Sequence, residues 1–247
     1  MACSAAQLAG ATRAALLAPA GYGKTYLIAE AVAQHGTGHE LLLTHTHAGV
    51  RAIRGKLGLL GSAASAAHVD TIAGWALRYV AAYPGLSQFP KQQPKAPDEW
   101  RQLYLGAMRV VSMPTIARLV ERSYSGLIVD EYQDCSLEQH ALVVALSKIL
   151  PTRVLGDPMQ GIFQFRGQQI VDWDVHVRKE FEELPELDRP RRWEASNPDL
   201  GAWLVYARRQ LAARAPVDFL SSPSALTWGL ASPASRPLAL VATSTMR

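Results

Sequence analysis

The sequence predicts an α/β fold, a parallel sheet with helices on both faces, and three observations carry that expectation. Short apolar runs of strand length, Ala14–Ala18, Glu40–Thr44, Leu127–Val129 and Arg153–Leu155, alternate with longer stretches of helical period. Alternation of this kind reads as strands joined by covering helices, which is how a parallel sheet is built. Each run then ends in a polar cluster: Gly21–Thr25, Thr44–His47, Asp130–Asp134 and Gly156–Gln160. Sites in such sheets open at the carboxyl ends of the strands, so the four clusters are expected to converge. With 247 residues, about half of them apolar, the chain is long enough to bury a full core.

The first run leads into "LLAPAGYGKTYLIAEAV", residues 16–32, an apolar strand followed by a glycine-containing turn and a helical pattern. A turn that feeds a helix aims several backbone N–H groups at one point, and the helix N-terminus adds partial positive charge there. Ala20, Gly21, Tyr22, Gly23, Lys24 and Thr25 are therefore expected to cradle a nucleotide. The two glycines allow close approach, Lys24 reaches the β and γ phosphates, and the Thr25 hydroxyl ligates Mg²⁺. The bland alternative is a glycine turn with an exposed lysine. Ala18 stands where the generic phosphate loop has its first glycine.

In "GLIVDEYQD", Asp130 and Glu131 end an apolar run, where adjacent carboxylates are costly without cationic or water partners. Magnesium supplies such a partner: Asp130 would hold the metal and Glu131 would orient and deprotonate an attacking water. The competing reading is a solvated acidic turn opening a helix over Ser136–Leu146, whose macrodipole favours carboxylates.

Between Tyr83 and Pro97 four prolines predict an irregular excursion, and a Ser-, Pro- and Ala-rich stretch over 215–237 reads as a linker. A further strand is expected over 238–247. A cap signal at Ser196 or Asn197 predicts a helix carrying Arg208 and Arg209 near its end.

Cys3 and Cys135 have no C-x-x-C spacing, and no apolar run approaches the roughly 18 residues a membrane span needs. A soluble chain of a reducing, cytoplasmic compartment is expected, without a membrane partner. The charge of +4, from 19 Arg and 6 Lys against 21 acidic residues, fits nucleic-acid contact without establishing it. The histidines do not form a metal site in this reading: His45 and His47 lack a third ligand at plausible spacing, and His35 and His39 flank a glycine turn.

Three motifs in order then resemble the UvrD/Rep-like superfamily 1 helicases. That family's A-G-A-G-x-G-K-T is similar to Ala18-Pro19-Ala20-Gly21-Tyr22-Gly23-Lys24-Thr25, with Ala18 the residue it expects. Its D-E-[FY]-Q-D matches Asp130-Glu131-Tyr132-Gln133-Asp134. Its G-D-x-x-Q-S-I-Y-x-[FW]-R-G resembles Gly156 through Gly167. Between them, Thr44–Val50 looks like the family's T-F-T-N-K-A-A and His68–Ala73 like its T-F-H-S-L-A, although His45, His47 and Asp70 stand in place of Phe, Asn and His.

The resemblance implies a RecA-like P-loop NTPase domain over residues 1–214, with the family's helical insertion reduced to 74–123. It implies ATP as substrate, Mg²⁺ as cofactor and single-stranded DNA as partner. Gln7 would read adenine, Gln160 would sense the γ-phosphate, and Arg192 would reach it, with Arg189 and Arg191 as alternatives. Thr44, His45, His47, Phe163, Phe165 and Arg166 would meet DNA, the aromatics by sequence-tolerant stacking. The family closes two RecA-like domains on one ATP to move 3′ to 5′, and nothing here resembles the second, which is expected in cis or in trans. The alternative is a truncated, nucleotide-dependent module that gates a partner nuclease, as in defence against foreign DNA. A small-molecule kinase is the weakest reading.

Overall fold

The computed structural model describes residues 2–90, 93–161, 169–219 and 222–223. The chain divides into two compact units, Met1–Asp188 and Arg189–Arg247.

The first unit is built on six parallel strands: β1 (Arg13–Leu17), β2 (Glu40–Thr44), β3 (Ala67–Thr71), β4 (Gly126–Val129), β5 (Thr152–Gly156) and β6 (Glu182–Glu183). Their spatial order is β3-β2-β4-β5-β1-β6. The register pairs Leu16 with Leu155 and Leu42 with Ile128, so apolar positions line up across the sheet. Because side chains alternate along a strand, one set faces each way. Ala15, Leu41, Leu43, Leu127, Val129 and Val154 enter one buried cluster, while Leu16, Leu42, Val69, Ile128 and Leu155 enter the other. A sheet buried on both faces explains why these strands read as continuous apolar runs.

Helices α1 (Ala5–Gly10), α2 (Lys24–His35) and α3 (His47–Leu59) cover the second cluster through residues such as Leu8, Ile28 and Ile53. On the opposite face lie α4 (Ile72–Ala82), α5 (Pro84–Ser87), α6 (Pro97–Val111), α7 (Pro114–Ser123) and α8 (Leu137–Ser147). Trp75, Leu103, Val110, Val120 and Leu142 fill the core there, and Trp75 stacks on Tyr79 with centroids 4.1 Å apart. Helix α6 starts with Pro97 in its first turn, followed by Asp98 and Glu99, and has Arg109 in its last turn, each placed as the macrodipole and the missing proline N–H favour. A short α9 (Arg178–Glu180) precedes β6. Among the described residues no single helix is long and apolar enough to cross a membrane.

The four expected strands are present, β2 with the expected bounds and the other three with ends within a residue of them. The helix expected from Ser136 begins one residue later, because Ser136 is its cap: Ser136 Oγ accepts from Gln139 N, and the Gln139 side chain returns the bond. β3 and β6 were not anticipated. Both are edge strands whose half-exposed, polar sequences, "AHVDT" and "EE", carry no apolar run.

The second unit contains α10 (Arg191–Glu194) and α11 (Pro198–Ala212). Asn197, of the two cap candidates, caps α11 by accepting from Leu200 N at 3.1 Å. Gly201 lets that helix close on Trp193 and Pro190, since a Cβ there would lie 3.2 and 3.3 Å from them. Residues 238–247, expected as a strand, lie outside the described residues, as does most of the expected linker.

Candidate functional site

The strand order places the loops after β1, β2, β4 and β5 along one edge of the sheet. After β1, Ala18 is fully buried and donates its N–H to Gly156 O at 3.0 Å, tying the phosphate-loop entry to the end of β5. Tyr22 N donates to Pro19 O at 3.2 Å, closing the turn. Gly21 and Gly23 have φ of 78° and 89°, left-handed values that cost a side-chain-bearing residue roughly 1–2 kcal/mol. That is why these two positions are glycine. Gly23 caps α2, so Lys24 and Thr25 begin the helix where its free N–H groups point outward.

Lys24 is only 8% exposed, and a buried ammonium must be paired. Its Nζ lies 2.5 Å from Glu131 Oε2 and 3.4 Å from Asp130 Oδ1, at the end of β4. Burial pulls the Lys24 pKa down, but Asp130 and Glu131 together outweigh it and hold the ammonium above its ordinary value. The carboxylates divide. Burial dominates at Asp130 and raises its carboxyl pKa despite Lys24, whereas at Glu131 burial is outweighed by Lys24 and Gln133, which hold its carboxyl below the usual range. One carboxylate is thus deep and desolvated, and the other is ionised and facing outward.

Glu131 adopts φ 57° and ψ 42°, a left-handed conformation for a non-glycine residue. Such backbone strain persists only where surroundings over-determine it. Here Glu131 N donates to Asp130 Oδ1 at 2.9 Å, and the tight turn Tyr132–Asp134 follows immediately. Tyr132 anchors that turn: its ring is fully buried and its hydroxyl is hydrogen-bonded with His140 Nδ1 at 2.8 Å. Gln133 Nε2 donates to Glu131 Oε2 at 2.9 Å, and Gln133 Oε1 accepts from Asp157 N at 2.9 Å. Asp157, after β5, caps the turn Pro158–Gln160, which carries the half-buried Gln160 beside this network.

Thr25, Asp130 and the half-buried Asp134, whose enclosed Oδ1 has no hydrogen-bond partner among the described residues, offer hard oxygen atoms. No cluster of three or more His, Cys, Asp or Glu suited to a metal occurs among the described residues. That donor set fits Mg²⁺, which takes one or two protein oxygens and completes its shell with water and substrate phosphates.

The remaining expected site residues are dispersed. Gln7 completes a capping box: its Oε1 accepts from Ser4 N at 2.9 Å, so its carbonyl serves α1. Thr44 is 2% exposed and lies close against Gly49 at the end of β2. On the same loop His47 is exposed at the start of α3, and His45 is half-buried with Nε2 3.4 Å from Cys135 Sγ. Burial, partly offset by Glu131, lowers the His45 imidazole to about 4, so it is neutral at pH 7. Asp70 is paired by Arg78 Nη2 at 2.5 Å, which neutralises the acidic side chain at that strand end. Arg192 lies in the second unit, stacked over Trp193 at 5.6 Å. Phe163, Phe165 and Arg166 lie outside the described residues.

The bridging role of Gln133 and the left-handed turn at Glu131 were missed by sequence reasoning. The motif string named both residues, but only the approach of β4 to β5 pairs them with Asp157.

Residues 91–174 match the family model described as the UvrD/REP helicase N-terminal domain. A comparison with curated proteins finds no match to the chain. The matched segment holds Asp130, Glu131, Gln133, Asp157 and Gln160, whereas the phosphate loop lies upstream of it. A parallel sheet that brings that loop to the acidic turn, together with the family match over the strands that carry the turn, supports a UvrD/Rep-like helicase N-terminal domain with an α/β, RecA-like fold and a helicase-like, nucleotide-dependent function.

Proposed function

We propose that this domain binds and hydrolyses ATP with Mg²⁺ and contacts single-stranded DNA, acting as a 3′-to-5′ motor when a second RecA-like domain joins it in cis or in trans. The observation that carries the reading is the buried Lys24 ammonium held between Asp130 and Glu131, a cation from the loop after β1 and two acidic side chains from the loop after β4 meeting at one point.

In the proposed reaction Lys24 exchanges carboxylate oxygens for those of the β and γ phosphates, and the loop N–H groups from Ala20 to Thr25 surround the same anion. Thr25 and Asp130 would hold Mg²⁺, which when bound neutralises charge on the phosphate oxygens. Glu131, ionised and less buried than Asp130, accepts a proton from the attacking water as the new P–O bond forms and the β–γ bridging bond breaks, releasing ADP. Gln160, on the turn that Asp157 caps, is proposed to contact the γ-phosphate, with Arg192 the arginine that complements it. His45, His47, Phe163, Phe165 and Arg166 form the proposed DNA-facing set, where a loop at one strand end and aromatics after another offer sequence-tolerant contacts.

Lys24→Ala tests the reading. Loss of the cation that stabilises developing phosphate charge is expected to lower DNA-stimulated ATP turnover by at least about a hundredfold. Turnover equal to that of the unmodified chain would show that the site lies elsewhere.

A further inference from the structure

We propose that Gln133 is a positioning residue for hydrolysis, fixing the Glu131 carboxylate and tying it to the loop after β5. The proposal rests on the nucleotide reading above. Gln133 is 4% exposed and its amide is held at both ends. The N–H of Asp157 can only donate, so the Gln133 oxygen must face it and the amide nitrogen must face the carboxylates. That nitrogen donates to Glu131 Oε2 at 2.9 Å and to Asp134 Oδ2 at 3.3 Å.

The consequence lies in which oxygen of Glu131 is taken. Lys24 and Gln133 share Oε2. When Lys24 turns to phosphate, Gln133 retains that oxygen, and Oε1 remains for the water. On the other side, Asp157 is fully buried and its Oδ1 accepts from Met159 N at 3.2 Å, so the backbone that holds the Gln133 oxygen also sets the turn bearing Gln160. A shift of that turn on contact with a γ-phosphate reaches Glu131 through a single amide. Gly156 makes the approach of the two loops feasible: a Cβ there would lie 2.7 Å from Gln133 Oε1 and 3.0 Å from the Trp173 ring.

The test uses the full chain and measures kcat and KM for ATP and the Kd of a fluorescent ADP analogue. Gln133→Met keeps an unbranched side chain of similar length and removes both hydrogen-bonding ends. Gly156→Ala leaves the amide in place and crowds its oxygen. Both are expected to lower kcat about tenfold or more, the usual effect of losing a hydrogen bond to a charged group, while KM and Kd stay within about threefold. Because Gln133 acts through Glu131, adding Gln133→Met to Glu131→Gln should slow turnover no further. A Gln133→Met kcat within about twofold of the parent overturns the proposal, as does a loss of ADP affinity that parallels the loss of kcat. Lys24→Ala run alongside separates the two readings. If the parent chain turns over no faster than Lys24→Ala, the nucleotide assignment itself fails; if Lys24→Ala is inactive and Gln133→Met is not impaired, only the role of Gln133 does.

Discussion

Arg153→Met is expected to remove the cation from a carboxylate that stays buried. Arg153 on β5 reaches across the first residue of β4 to Glu40 at the start of β2, with Nη2 3.2 Å from Oε2 and side-chain exposures of 3% and 6%. Gly126 leaves the space: a Cβ there would lie 2.5 Å from Arg153 Nη1 and 2.6 Å from Glu40 Oε2. After the substitution the Glu40 carboxylate keeps, among the described residues, only Ser125 Oγ, at 3.4 Å. Breaking a buried pair from one side costs about 3–5 kcal/mol, which for a chain of this size lowers the melting midpoint by roughly 6–20 °C. Replacing both partners with Glu40→Leu and Arg153→Met should restore most of the loss, because no charge is then stranded. Urea unfolding of the parent, both single variants and the double variant closes the cycle. Nucleotide affinity should not change, since the pair sits at the amino edge of the sheet, opposite the phosphate loop. A single-variant cost below about 1 kcal/mol, or a double variant as unstable as the sum of the singles, would refute the argument.

Two further expectations concern backbone and protonation. Gly23→Ala places a side chain at φ 89° and should cost roughly 1–2 kcal/mol in urea unfolding while weakening binding of the ADP analogue; unchanged affinity would detach the turn from the nucleotide. His140, lowered to about 4 by burial and by His176, is held as the neutral imidazole 2.8 Å from the Tyr132 hydroxyl. Its depressed value contributes stability that is present above the unfolded pKa of about 6.5 and lost as pH falls through the folded value near 4. The urea midpoint should therefore drop between pH 7.5 and pH 4.5, and His140→Gln should reduce that drop; an identical drop in the variant would remove His140 as its cause.

The legible part of this protein was whatever one strand and its following loop encode together. The runs at β1, β2, β4 and β5 were readable because strands buried on both faces need apolar residues on both. The turn after β1 was readable because a left-handed turn before a helix calls for glycines at Gly21 and Gly23. β3 escaped notice because its edge position leaves His68 and Asp70 half-exposed, which erases the apolar signal. Gln7 and Thr44 have surroundings that no motif string discloses. Both stand in motif-like strings, but the capping box engages one and the first turn of α3 buries the other.

Local sequence thus determined the chemical inventory: a cradle for an anion, a pair of carboxylates at a strand end, and a third polar loop after β5. It could not determine that Lys24 and Glu131, 107 positions apart, lie 2.5 Å from each other, nor that one carboxylate is desolvated and the other ionised. Those properties depend on the strand order, which brings β4 and β1 to either side of β5, and on burial, which is a property of neighbours rather than of residues. The same holds for Gln133: its place in the motif was visible, but its two hydrogen-bond partners exist only because parallel pairing sets the ends of β4 and β5 side by side.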